Sequence, residues 1–386
     1  MAAFAVAQWL AVRGRPDEFL PDGPERAFVQ DLVYVTVRRW RALKFALGGL
    51  LRTWPKGELE ALLLVGAAQI LYMDDVPEFA AVNETVAAAK SCPNPSIAKV
   101  VNGVLRNLLR RRAEIAARLA AAPLEERESY PAALVRRWEA RFGAEGAARL
   151  ADWHNRPAET WLAWRPGAAP EGAEEGFTRL ARGRRVADEP GFAEGDFIVQ
   201  DPATAGAVAL LDARPGETVL DFCSAPGGKT VQIAWRLGGG TLVAQEVNPR
   251  RRRKLEENLR RCRLDWVRVV DRAPSGETFT RVLVDAPCSN TGVLRRRPDA
   301  RWNWSREKLA ALVRLQAEIL DAAAAFCAPG GTLVYSTCSG EPEENGDQVA
   351  AFLTRHPEFA ETARRESVPP ESGHDGAFAC AFVREG

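Results

Sequence analysis

The ten residues Asp221-Phe222-Cys223-Ser224-Ala225-Pro226-Gly227-Gly228-Lys229-Thr230 end a short apolar run in an acid and then open into a Gly-Gly turn. This is the pattern of a strand giving way to a helix in an α/β domain, at the carboxyl end of the strand, where open sheets bind their ligands. The two glycines let a backbone approach a ligand closely, and a helix after them offers free N–H groups.

Outward from this stretch, short apolar runs alternate with helical patterns, the rhythm of a mainly parallel sheet. The pattern predicts strands over Thr218–Cys223, Thr241–Val247, Trp266–Asp271, Thr280–Ala286, Gly331–Thr337 and Ala377–Arg384, with helices over Arg250–Arg263 and Lys308–Ala328. Four acids, Asp221, Glu246, Asp271 and Asp285, then fall at strand ends along one rim. Glu246 follows Gly227 by 19 residues, a spacing that suits an acid accepting hydrogen bonds from a ribose.

Two ligand classes compete for the rim. Gly228, Lys229 and Thr230 match a P-loop, but Cys223 stands where its leading glycine belongs, and Arg281–Asp285 would have to serve as a Walker B strand. Pro226 weighs against that reading, because proline removes an N–H that a phosphate cradle uses. A P-loop NTPase also leaves Cys288 and Cys338 unexplained. Each lies just past a predicted strand, on the same rim as the acids. Either one alone reads as a small buried hydrophobe, although polar turns near a basic stretch favour a thiolate. A nucleoside ligand without a triphosphate, such as S-adenosyl-L-methionine, fits better.

Composition bounds the remaining readings. The chain has 386 residues, 46% apolar and 27% charged, enough for two or three domains with real cores. No apolar run reaches the length of a membrane span, and the apolar start Met1–Val12 lacks a basic residue before it, so a first helix is expected rather than a signal peptide. Seven scattered cysteines and three histidines indicate neither a disulfide framework nor a metal site. The expectation is a cytoplasmic monomer with no membrane partner. The net charge of +1 hides a basic stretch, Glu246–Arg314, with 18 Lys and Arg against 9 Asp and Glu. Such a run is the footprint of a polyanion such as RNA, or else a solvated helix face.

Residues 1 to about 120 read as all-helical. Arg26–Leu47 carries apolar residues at helical spacing, and Glu58–Tyr72 is apolar nearly all round, so it should be the buried centre of a bundle. Arg110, Arg111 and Arg112 suit either a helix C-terminus or an RNA contact.

Asp221–Thr230, Asp285–Gly292 and Val334–Ser339, followed by Glu343-Glu344-Asn345, resemble the motifs of the Sun and nucleolar-protein family of RNA (cytosine-5) methyltransferases. The helical first third, including Val82–Val86 and Val101–Arg106, resembles the NusB-like domain of the RsmB branch. The resemblance implies three parts: a NusB-like RNA-binding bundle over 1–125, a connecting subdomain over 126–195, and over 196–386 a class I, Rossmann-like sheet with helices on both faces.

The resemblance also assigns roles. Cys338 is the nucleophile, Cys288 assists release of the methylated base, and Asp285 binds the ring at N3. Cys223, Ser224, Ala225, Pro226, Gly227, Gly228 and Lys229 hold S-adenosyl-L-methionine, with Glu246 on the ribose, Asp271 near the adenine and Asp285 near the methyl end. The implied substrate is RNA, from the RsmB-like architecture a cytosine of small-subunit (16S) ribosomal RNA. Spacing alone does not rank the two cysteines. The chain departs from the family pattern at Glu246, where Asp is common, at Asn290, where a small residue is usual, and over Asn155–Arg165. A P-loop NTPase and a non-catalytic RNA-binding protein with a relic fold are the alternatives.

Overall fold

The computed structural model describes residues 1–386 and packs them into two compact units. The first comprises Met1–Arg156 together with Leu294–Trp304, and the second Pro157–Val293 with Ser305–Gly386.

The first unit is helical. Its centre is Glu58–Tyr72, of which Ala61–Ile70 is buried without interruption. Gly66 is needed there, because a Cβ would lie 2.5 Å from Leu105 Cδ1 on the helix Ser96–Arg110 packed against it. The helical pattern over Arg26–Leu47 resolves into two helices, Arg26–Arg38 and Trp40–Gly48, broken where Arg39 turns to φ −99°.

The packing divides the chain elsewhere than at residues 125 and 195. The helix Ala132–Asn155 belongs to the first unit, where Tyr130 is fully buried and donates to the Ala151 carbonyl at 3.0 Å. Leu294–Trp304 also belongs there, although it is far away in sequence. Its Arg301 is fully buried, 4.0 Å from the Tyr130 ring centre, and donates to the carbonyls of Arg38, Ser129 and His154 and to Asn155 Oδ1. Trp302 donates to the Val37 carbonyl at 2.8 Å and meets Trp40 edge to face. A buried guanidinium is costly unless its donors are met, and here carbonyl oxygens receive Nη1 and Nη2 without a carboxylate, while Nε has no partner.

The second unit holds two sheets. A small antiparallel one has β1 (Trp161–Trp164) between β2 (Phe177–Arg179) and β3 (Phe197–Val199). The main sheet has seven strands: β4 (Thr218–Asp221), β5 (Thr241–Gln245), β6 (Arg268–Val270), β7 (Phe279–Asp285), β8 (Cys327–Thr337), β9 (Phe359–Ser367) and β10 (Ala377–Arg384). Their order is β6-β5-β4-β7-β8-β10-β9; all pairs are parallel except β8–β10 and β10–β9.

Alternate residues serve opposite faces of this sheet. Val219, Leu242, Ala244, Leu283 and Val334 pack with the helices Ala205–Leu211, Gly228–Leu237 and Pro249–Arg261. Leu220, Val243, Val282, Val284 and Tyr335 pack with Arg306–Ala324 and Gly346–Arg355 on the other face. This is the Rossmann-like architecture expected from the alternating pattern. The strand missing from that pattern, β9, is an edge strand with mostly exposed residues, and Glu361, Arg364, Arg365 and Glu366 break up any apolar alternation. Charge on an edge is how sheets avoid pairing with further chains.

Candidate active site

Asp221 ends β4, and its chain turns into the loop Phe222–Gly227 before the helix Gly228–Leu237. The loop is fixed from several sides. Thr230 Oγ1 donates to Asp221 Oδ2 at 2.6 Å, and Ser224 Oγ to the Asp221 carbonyl at 2.8 Å. Arg251 donates to the Ala225 carbonyl at 2.7 Å and Asn258 to the Pro226 carbonyl at 2.8 Å. Gly227 has φ 108°, and a Cβ on it would lie 2.9 Å from Leu255 Cδ1. Only glycine meets both demands without rearrangement.

Asp221 is therefore a buried support of the loop and not an open rim acid. Burial pushes its carboxyl up to about 7, against the Thr230 hydrogen bond. Cys223 is likewise structural: burial, with Asp221 next, pushes its thiol up to about 12. Glu246 follows β5, is buried, and accepts from Asn248 N at 2.8 Å. Asp271 follows β6 and is exposed. Gln245, which the sequence did not single out, ties neighbouring loops together through the Phe222 carbonyl at 3.1 Å and Ala273 N at 2.6 Å.

Asp285 ends β7. Its two oxygens receive Lys229 Nζ at 2.7 Å and Ser336 Oγ at 2.9 Å. Burial disfavours the Lys229 ammonium, but the facing Asp285 carboxylate outweighs it, so the pKa of Lys229 lies above the ordinary lysine value. The same carboxylate thus ties the first turn of the helix Gly228–Leu237 to β8.

The loops after β7 and β8 bring Cys288 and Cys338 together, with their Sγ atoms 3.3 Å apart. Cys338 Sγ also lies 3.4 Å from Asn290 Oδ1, whose residue adopts φ 60° and donates through Nδ2 to the Cys288 carbonyl. Asn290 thus ties the two cysteine loops together. The basic surroundings expected to make both cysteines thiolates do not do so at Cys288. Its thiol is pushed well above the ordinary value, first by the hydrogen bond with Cys338, then by burial, with the charge of Glu344 adding. A cleft of about 590 Å³ reaches Cys338 and is lined by Lys229, Ser336, Trp164, Arg236 and Arg365.

The basic stretch Glu246–Arg314 is in large part structural. Arg251 holds the loop after β4, Arg261 donates to the carbonyls of Phe192 and Phe197, Arg295 is buried over Trp153, and Arg297 pairs with Asp299 at 2.8 Å. Arg250, Arg253, Lys254, Arg260 and Arg263 remain on the surface. Of the three arginines near residue 111, Arg111 pairs with Glu114 and Arg112 with Glu78.

A parallel sheet with one antiparallel strand inserted beside its last parallel one, a glycine loop after β4 and an acid after β5 give a Rossmann-like site, and sequence relatedness makes the chain an enzyme of the methyltransferase class. The family model described as 16S rRNA methyltransferase RsmB/F matches residues 208–379, and that of the NusB family residues 6–110. The chain belongs to the ribosomal RNA small subunit methyltransferase B family: it is 35% identical to the protein of that name from Serratia proteamaculans, over 93% of this chain and 91% of that protein. It is 34% identical to the one from Yersinia pseudotuberculosis, over 94% and 91%. Among solved structures, PH0851 superposes with a TM-score of 0.79 at 22% identity, covering 99% of this chain and 97% of that one. NSun6 from Pyrococcus horikoshii with SFG gives 0.58 at 18% identity over 67% of this chain and 99% of that one. These two likenesses concern the fold.

Proposed function

We propose that this enzyme transfers a methyl group from S-adenosyl-L-methionine to carbon 5 of a cytosine in RNA, small-subunit (16S) ribosomal RNA being the target that its family name suggests. The observation that carries this reading is the pair of thiols 3.3 Å apart beside the Lys229–Asp285 ion pair. Carbon 5 of cytosine is a poor nucleophile until carbon 6 is attacked, and a thiolate performs that attack covalently.

In this scheme Cys338 bonds to carbon 6, and carbon 5 then takes the methyl group. Loss of the carbon 5 proton and cleavage of the carbon 6–sulfur bond release the product. The two thiols are close enough to exchange a proton, and the family resemblance makes Cys338 the nucleophile and Cys288 the group that assists elimination. Asp285 meets the base at N3 and balances charge as the adduct forms. The base has to be unpaired or flipped out, and the cleft beside Cys338 is the space into which it would turn.

The cofactor fits the residues present. Gly227, at φ 108°, lets the loop turn tightly against Leu255, and Glu246 is a buried carboxylate after β5 that would accept from a ribose. Cys223 to Lys229 would line the binding loop, Asp271 the adenine side and Asp285 the methyl end; the bound molecule supplies an electrophilic methyl on a sulfonium. The bundle over 1–125 would bind RNA and 126–195 would connect it to the catalytic part. The test is transfer of label from the methyl donor into RNA from cells lacking the protein, followed by mapping of the modified base. Label at carbon 5 of cytosine in small-subunit ribosomal RNA is expected; nucleotide hydrolysis without transfer would overturn the reading.

A further inference from the structure

Each of the two cysteines is followed by a serine, and the two serines converge on one carboxylate. Ser289 Oγ and Ser339 Oγ both donate to Glu344 Oε2 in very short hydrogen bonds. On the other oxygen, Oε1, Ser289 N and Gln316 Nε2 each donate at 2.9 Å. Gln316 Nε2 also reaches the Pro287 carbonyl at 2.9 Å, on the residue before Cys288. Glu344 is 0% exposed, and its own carbonyl accepts from Tyr335 OH on β8 at 2.7 Å.

We propose that Glu344 is a positioning residue that fixes the separation and orientation of the two thiols by gripping the residue after each of them. The inference rests on the proposed cytosine chemistry for its consequence, but the grip itself does not.

The chemistry of the donors explains why a carboxylate is used. Burying a carboxylate is costly unless its lone pairs are filled, and here neutral donors fill them from both cysteine loops at once. An ionised carboxylate only accepts, so both serine hydroxyls have to point at it, and the direction of each loop is set. A neutral amide in the same shape would have to turn its NH2 either to Ser289 N and the Gln316 amide, which are donors too, or to the two hydroxyls, which would then have to reverse. A second tier backs the first. Thr291 Oγ1 lies 3.2 Å from Ser289 Oγ and 3.3 Å from Ser339 Oγ, and Gly292 N donates to the Cys338 carbonyl at 3.1 Å. Gly292 packs so closely that a Cβ would lie 2.8 Å from that same carbonyl. The whole cluster is therefore built to hold two loops in one register, and Glu344 is the group both loops share.

The experiment compares the full-length protein with Glu344→Gln, Ser289→Ala and Ser339→Ala. Two readouts are taken at a temperature where each variant is folded by circular dichroism: kcat and KM for methyl transfer to RNA, and the rate at which diamide, which removes one hydrogen from each thiol, converts Cys288 and Cys338 to a disulfide. Positioning predicts that Glu344→Gln lowers kcat by about 100-fold with KM nearly unchanged, that it slows disulfide formation several-fold, and that each serine variant does the same to a smaller degree. A purely structural role predicts lower melting temperatures with both rates kept, and that result overturns the proposal. If Glu344→Gln does not fold, the two serine variants decide the matter by the same rates. If the unaltered protein transfers no methyl group but the variants slow disulfide formation, the grip stands and the proposed reaction fails.

Discussion

Lys229 Nζ lies 2.7 Å from Asp285 Oδ2 and so joins the first turn of the helix Gly228–Leu237 to the strand end that leads into Cys288. The pair is partly buried, with side-chain exposures of 14% and 35%. Lys229→Met removes the ammonium and leaves the Asp285 carboxylate without its counter-charge where charge has to be balanced during the reaction. The expected outcome is a loss of roughly 100-fold in kcat with a small change in melting temperature. Steady-state methyl transfer and thermal unfolding on the same sample check it.

The two thiols are expected to fail in different ways. Cys338→Ala abolishes transfer and forms no protein–RNA adduct. Cys288→Ala forms the adduct but resolves it slowly, so a covalent band accumulates on a denaturing gel. The reverse pattern would assign the nucleophile to Cys288.

Gly227→Ala strains the φ 108° turn and drives a methyl group to 2.9 Å from Leu255 Cδ1. The cost is about 1–3 kcal/mol, shared between folding and cofactor binding. Calorimetric titration with S-adenosyl-L-methionine should show weakened binding, while affinity for RNA without cofactor stays the same.

Burial raises the Asp221 carboxyl from 3.8 to about 7, so folding favours its protonated form. The stability it contributes is complete below about pH 4 and is lost as the pH rises through about 7, at up to about 1.4 kcal/mol per pH unit. Denaturation midpoints of Asp221→Asn and the unaltered protein, compared from about pH 5 to about pH 8, should diverge in favour of the variant as the pH rises and level off above about 7. Parallel curves would contradict the assignment.

Much of the fold was legible because its signals are local. β10 begins and ends where the apolar run does, the other five strands were found within a few residues, and the helix Glu58–Tyr72 is as buried as its all-round apolar pattern requires. The glycine loop and the acids at strand ends could be found because a strand end places its next residue on the rim whatever the rest of the chain does. The strands β1–β3 were missed because runs of three or four residues are too short to mark a strand, and β9 because its charged edge carries no apolar alternation.

The sequence by itself determined the class of sheet, and it singled out the glycine loop and the two cysteines on which the proposed reaction rests, since each is a matter of residue type at a local position. Only the tertiary structure decided what depends on distance through space. It buried Asp221, although that residue ends a strand, turned Arg251, Arg261 and Arg301 into donors for backbone carbonyls and laid Arg295 over the Trp153 ring, although composition counts them as basic surface. It also closed residues 50 apart in sequence into a thiol pair 3.3 Å across and placed Glu344 behind both. The physical reason is that a buried charge is defined by its partners, and those partners arrive from distant strands that no local pattern connects.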